Sequence, residues 1–275
     1  MKVLIVTDVH FGKDKIKPNF SGPDYVNIFG STFESRSNSL CEKVGKIDMI
    51  VSLGDAIANQ SPQQDSEWLW QYQNILNQFS ANIVSVLGNH DHDFISIEEW
   101  QEITNQTNTY FSFDVDGFHH VVLHTMNETA PERKVMPEQL HWLAGDLAKT
   151  PLPVIIYTHY PLHNQPFTYY FHEKSHYSEI FYAADREKIR KVISDSANVK
   201  LVLNGHSHFF HEEVIDGTQY MAIPSFSEND GENHAGNGYA ILHLNNGRYS
   251  IQFFPEKAKL IAFERRSQQR ITANK

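Results

Sequence analysis

The sequence predicts an α/β chain in which two mixed β-sheets pack together with helices outside. Three observations carry that expectation. Short apolar, β-branched runs at residues 3–7, 47–53, 83–87, 154–158 and 199–203 alternate with stretches of helical periodicity, as parallel strands joined by helices do. Later the chain is punctuated by Asp116-Gly117, Asp216-Gly217 and Asn246-Gly247, each between strand-like runs, and such dipeptides favour two-residue hairpin turns. At 275 residues, 40% hydrophobic and 20% charged, the chain can bury a sizeable core, and no linker or internal repeat divides it.

Each element has a local cause. Ser61-Pro62 supplies a cap and a first-turn proline, and Trp68, Leu69, Tyr72, Ile75, Leu76 and Phe79 follow at the spacing of a core-facing helical stripe. Ser96 and Glu99 form a capping box for a helix over 96–104, and further helices are expected at 137–148 and 185–194. The hairpins pair 110–115 with 118–125, 212–215 with 218–223, and 239–244 with 249–254. Residues 1–255 are expected to form one domain. Residues 256–275, with Lys257, Lys259, Arg265, Arg266 and Arg270, are expected to be a solvated basic tail.

Composition removes several classes. With 14 Gly and 11 Pro in non-repetitive sequence, low-complexity and collagen-like chains are excluded. Cys41 stands alone, so there is no internal disulfide and no cysteine-based zinc site, and any metal must be held by His, Asp, Glu or Asn. The N-terminal apolar run stops at Asp8, and no stretch approaches the roughly 18 apolar residues of a membrane span, so a cytoplasmic protein without a membrane partner is expected. A formal charge of −10 argues against nucleic acid as a partner, because duplex binding relies on Lys and Arg against phosphate. Sixteen histidines stand out instead, since imidazole is the commonest metal-ligating side chain.

The polar residues that follow the strand-like runs converge in type. The first run ends in Asp8-Val9-His10, the second in Gly54-Asp55, the third in Gly88-Asn89-His90-Asp91, the fourth in Thr158-His159 and the fifth in Gly205-His206-Ser207-His208. In α/β sheets ligands gather at the carboxyl ends of strands, so residues spread over two hundred positions would meet in one crevice. Each fragment alone is commonplace. Together they place imidazole, carboxylate and amide donors at the same end of successive buried strands, which is the signature of a metal site. Such donors without thiolate suit Mn, Fe, Zn, Co or Ni. Seven ligands are too many for one catalytic ion but divide between two that share a carboxylate, a pair suited to phosphoester hydrolysis.

This order of motifs, from Asp8 to His208, resembles the calcineurin-like metallophosphoesterase superfamily. The resemblance implies a four-layer αββα sandwich of the metallo-dependent phosphatase type. It implies one metal held by Asp8, His10, Asp55 and His208, and a second held by Asp55, Asn89, His159 and His206, with Asp55 bridging. It further implies in-line attack on phosphorus by a metal-bound hydroxide, with His90 assisting the leaving group. One position departs from the pattern: many relatives carry an aspartate, thought to orient the catalytic histidine, where this chain has Ala58. Asp91 is the residue expected to supply that orientation and is counted with His90 as catalytic; the alternatives are Asn59, or a His90 held less firmly, with slower chemistry or a restriction to substrates with good leaving groups.

Within the superfamily, Pro224-Ser225 and Gly238-Tyr239 look most similar to bacterial class III cyclic-nucleotide phosphodiesterases, which implies a small phosphodiester such as a 3′,5′-cyclic nucleotide as substrate. A phosphomonoesterase of small organic phosphates is the nearest rival, then a nuclease, then a metal-binding scaffold without activity. Two segments are candidates for the rim of the crevice. Residues 11–38 carry Lys13, Lys15 and Lys17, read as a solvated loop, and 162–182 is dense in aromatic residues, suited to a substrate lid or to a homodimer contact. His163 and His211 are candidate supports for the ligands, and His119, His120, His124 and His141 are expected to be structural.

Overall fold

A computed structural model describes residues 1–12, 15–17, 25–27, 31–80, 82–125, 136–165, 182–183, 185–226, 238–254 and 261–263. In chain order the elements are β1 (Lys2–Val6), β2 (Lys15–Lys17), β3 (Tyr25–Asn27), α1 (Ser31–Val44), β4 (Met49–Ser52), α2 (Pro62–Asn77), β5 (Ile83–Ser85) and α3 (Ile97–Thr104). There follow β6 (Phe111–Val115), β7 (Phe118–Val122), α4 (Pro137–Leu147), β8 (Val154–Thr158), α5 (Arg186–Asp195) and β9 (Val199–Asn204). The chain closes with β10 (His211–Ile215), β11 (Thr218–Ala222), β12 (Tyr239–Asn245), β13 (Arg248–Phe254) and β14 (Ile261–Phe263).

Two six-stranded sheets form the centre, in the orders β14-β13-β12-β1-β4-β5 and β10-β11-β9-β8-β7-β6. Both are mixed. β1, β4 and β5 run parallel in the first sheet, and β7, β8, β9 and β11 in the second, while the hairpin strands pair antiparallel at their flanks. Strand alternation builds the layers. Val3, Ile5, Met49 and Val51 of the first sheet meet Ile155, Tyr157, Leu201 and Leu203 of the second in one buried cluster. The intervening residues turn outward to the helices: Leu4, Val6 and Ile50 join Leu40, Leu69, Tyr72 and Leu76, and Val154, Ile156 and Val202 join Leu143, Leu147, Ile189 and Ile193. The result is the two-sheet, helix-flanked αββα architecture that the sequence implied.

The local signals act where expected. Ser61 Oγ accepts from the Gln64 amide and Ser96 Oγ from that of Glu99, satisfying helix-end donors. Asp116-Gly117, Asp216-Gly217 and Asn246-Gly247 all take positive φ at both residues, as a type I′ hairpin turn requires. Two findings differ from the sequence expectation, and one expectation is untested. Part of the stretch read as a loop over 11–38 holds a ribbon, β2 with β3, and helix α1. Residues 261–263, within the expected solvated tail, pair with β13 as an edge strand. Most of 162–182, the aromatic rim, lies outside the described residues, as does Lys13. No helix among the described residues is long and apolar enough to cross a membrane.

Candidate metal centre

All the ligand candidates emerge from the carboxyl ends of parallel strands: Asp8 and His10 after β1, Asp55 after β4, Asn89 after β5, His159 after β8, and His206 and His208 after β9. Backbone hydrogen bonds zip the first two segments together, with the Asp8, His10 and Phe11 amides donating to the carbonyls of Gly54, Asp55 and Ala56. Asp8, His10, Asp55, His206 and His208 take φ of 50°, 48°, 51°, 66° and 63°. A side chain in that left-handed region costs about 1–2 kcal/mol, so five such residues together mark a site whose surroundings hold it in place.

Two groups of ligand atoms result, Asp8 with His10, Asp55 and His208, and Asp55 with His159 and His206, each gathered within 4.8 Å. In the first, His10 Nε2 lies 3.3 Å from His208 Nε2, His208 Nε2 lies 3.2 Å from Asp8 Oδ1, and His10 Nε2 lies 3.9 Å from Asp55 Oδ2. In the second, His159 Nε2 lies 3.3 Å from each of His206 Nδ1, Asn89 Oδ1 and Asp55 Oδ1. Asp55 therefore offers one oxygen to each group. Two imidazole nitrogens on one tetrahedral cation, at about 2.0–2.1 Å each, stand roughly 3.3 Å apart, so the spacing fits a shared cation. The tautomer fits as well: His159 Nδ1 donates to the Leu53 carbonyl at 2.7 Å, which leaves the Nε2 lone pair facing the group.

Electrostatics point the same way. Asp8 is 0% and Asp55 1% exposed, and two carboxylates so deeply buried demand positive charge nearby. Burial raises the Asp55 carboxyl, but the imidazoles of His159, His90 and His10 outweigh it and hold it well below the usual carboxylate range. Burial lowers His159, but Asp55 and Asp8 overcome it and push its imidazole up to about 9. A cation bound between these residues takes the place of that proton.

His90 follows Asn89 and stands at the edge of both groups. Its amide donates to Asp55 Oδ1 at 2.9 Å, its Nε2 lies 3.9 Å from Asp55 Oδ2, and its ring meets His10 edge-on at 4.8 Å. Its Nδ1 is buried and has no hydrogen-bond partner among the described residues. Asp91, expected to orient it, makes no hydrogen bond to it. Asp91 Oδ1 instead accepts from the Ala56 and Ile57 amides at 2.7 and 3.3 Å, and Oδ2 accepts from Gly88 at 2.8 Å, fastening the loop after β4 to the loop after β5. Backbone donors left over by two sharp turns outbid the imidazole for this carboxylate. Asn59 is engaged elsewhere, donating to the Asp93 carboxylate.

Other residues support the ligands. Thr7 Oγ1 donates to Asp8 Oδ2 at 2.7 Å, as does the His206 amide at 2.9 Å, and Ser225 Oγ donates to the Asp8 carbonyl at 2.8 Å. Gly238 donates to the Ser225 carbonyl at 3.0 Å, so Pro224-Ser225 and Gly238-Tyr239 come together behind Asp8. Tyr160, missed in the sequence although it directly follows His159, donates to Asn89 Oδ1 at 2.9 Å. His163 and His211 pair with each other, at 3.2 Å, rather than with a ligand. His119 is bracketed by Asp114 at 2.6 Å and Asp146 at 2.8 Å, a structural contact between β6, β7 and α4.

A two-sheet sandwich with a shared-carboxylate pair of cation sites at its strand ends defines a metal-dependent phosphoesterase class. The sequence pattern of the calcineurin-like phosphoesterases matches residues 1–210, and the chain belongs to that family. Among solved structures it is similar to a dimetal phosphatase from Danio rerio, with 14% identity and a TM-score of 0.76 over 96% of this chain and 99% of that one. It is also similar to GAP50 of Plasmodium (13% identity, TM-score 0.57, 96% and 89% covered). A third similarity is to a purple acid phosphatase from yellow lupin (14%, 0.56, 95% and 52%). No curated protein sequence matches it.

Proposed function

We propose that this member of the family is a two-metal phosphodiesterase of small substrates such as 3′,5′-cyclic nucleotides. The observation that carries the two-metal reading is Asp55, whose two oxygens face two separate ligand groups. Asp8, His10, Asp55 and His208 would hold one cation, and Asp55, Asn89, His159 and His206 the other. Two such cations, when bound, activate a water and neutralise phosphoryl charge. His90, whose side chain is 25% exposed beside the shared Asp55, would meet the leaving oxygen and donate a proton or positive charge to it.

The preference for a diester rests on the resemblance to cyclic-nucleotide phosphodiesterases. Of Pro224-Ser225 and Gly238-Tyr239, which suggest the cyclic-nucleotide subtype, Ser225 bonds the Asp8 carbonyl and Gly238 bonds Ser225, and the subtype rests on resemblance alone. The test compares bis-p-nitrophenyl phosphate, p-nitrophenyl phosphate and cyclic AMP as substrates with added Mn²⁺, for the native protein and Asn89→Ala. Diester turnover that disappears in Asn89→Ala is expected. Faster monoester turnover would overturn the diesterase, and no turnover by metal-loaded protein would overturn the enzyme.

A further inference from the structure

The two ligand groups are supported by different side chains, Thr7 on Asp8 in the first and Tyr160 in the second. Tyr160 is fully buried at the end of β8. Its amide is held by Thr125 Oγ1 at 3.2 Å, and its hydroxyl donates to Asn89 Oδ1 at 2.9 Å. Its ring lies 4.2 Å from that of His206, tilted, and 5.3 Å from that of His159, edge-on. Three of the four residues of the second group therefore touch Tyr160. Asp8 and His208 of the first group are held by each other, by Thr7 Oγ1 and the His206 amide on Asp8 Oδ2, and by the turned backbone on which they stand.

The contact with Asn89 has a specific effect. An amide can turn over and present either its oxygen, which can ligate a cation, or its NH₂, which cannot. A phenol is a better donor than acceptor because its lone pairs are drawn into the ring, so it favours the oxygen on the side where it stands. That oxygen has two lone pairs: Tyr160 takes one, and the other is left for the group 3.3 Å away at His159 Nε2. We propose that Tyr160 is a positioning residue for the second cation, fixing the Asn89 oxygen and the His206 ring, and that the first cation does not depend on it. This rests on the two-metal reading above. Occupancy of the second site is then set by a hydroxyl that touches neither substrate nor metal.

The experiment uses the full chain, stripped with a chelator and titrated with Mn²⁺ by calorimetry, with bound metal counted after gel filtration and thermal unfolding as a control for folding. Tyr160→Phe keeps the ring and its burial and removes only the hydroxyl. We expect native protein to bind two ions, and Tyr160→Phe to hold the first unchanged and the second about 10–100-fold more weakly, as loss of a ligand's supporting hydrogen bond typically costs. In an Asn89→Asp background a ligand oxygen faces the group whichever way the side chain turns, so there Tyr160→Phe is expected to have little effect. Equal binding of both ions by native protein and Tyr160→Phe would overturn the inference, as would an undiminished Tyr160→Phe effect in the Asn89→Asp background. Native protein that binds fewer than two ions would overturn the two-metal reading itself, and the inference with it.

Discussion

Asp91 shows how a residue adjacent to the chemistry can serve the scaffold. It is 1% exposed and accepts from three backbone amides, those of Ala56, Ile57 and Gly88. Leaving them unpaired costs on the order of 1–3 kcal/mol each before relaxation. Asp91→Ala is therefore expected to lower unfolding stability by about 3 kcal/mol or more, measured by urea denaturation, while turnover per metal-loaded molecule stays within a few-fold of native. Unchanged stability with lost turnover would return Asp91 to the orientation of His90. The sequence showed which residues are polar and close to a strand end, and from that the seven metal-ligand candidates were legible. It did not show which atoms compete for a carboxylate. That is decided by how many backbone donors two adjacent turns leave over, a property of the folded loops.

The loops after the strands owe their shape to glycines that admit no side chain. A Cβ on Gly88 would collide with the backbone amide and carboxylate of Asp55, and one on Gly205 with Thr7 Oγ1 and, at 2.8 Å, Asp8 Oδ2. Close approach of backbone to ligand is the physical content of the Gly-Asn-His and Gly-His-Ser-His strings. Gly88→Ala is expected to displace Asp55 and empty both cation sites together, read as metal content by elemental analysis; two retained ions would show that the loop can yield. Strands, hairpins and the capped helices were legible because apolar period, cap and turn residues agree there. Helix α1 was not, since apolar residues are few and unevenly spaced in its polar sequence STFESRSNSLCEKV. The ribbon β2 and β3 and the edge strand β14 were equally silent, each being three residues long.

For the whole molecule, buried histidines set the response to acid. Burial lowers His120 to about 4; burial, then His92, lowers His124 to about 4; and burial, then His211 and Arg190, lowers His163 to about 3, from an ordinary value of 6.5. Between about pH 6.5 and 4 the unfolded chain binds these protons and the folded chain does not, so stability falls as pH falls, by about 1.4 kcal/mol per pH unit for each proton. Asp91, raised to about 7 by burial and Asp55, opposes this with one proton across the whole window, and His159, raised to about 9, opposes it with another above pH 6.5, so the three histidines prevail by number. Metal-stripped protein is expected to show a lower urea midpoint at pH 5.5 than at pH 7.5, and His163→Gln to reduce the difference. A midpoint that does not move with pH would contradict this account.

The cation sites also join what the sequence keeps far apart. The first group draws Asp8, His10 and Asp55 from one sheet and His208 from the other, and the second draws Asp55 and Asn89 from one and His159 and His206 from the other. An ion held between positions 8 and 208 closes a loop through most of the chain, and closure made in the folded state alone favours that state by mass action. In a protein with one cysteine, the metals needed for chemistry would double as its cross-links, tying sheet to sheet much as disulfides do in secreted proteins.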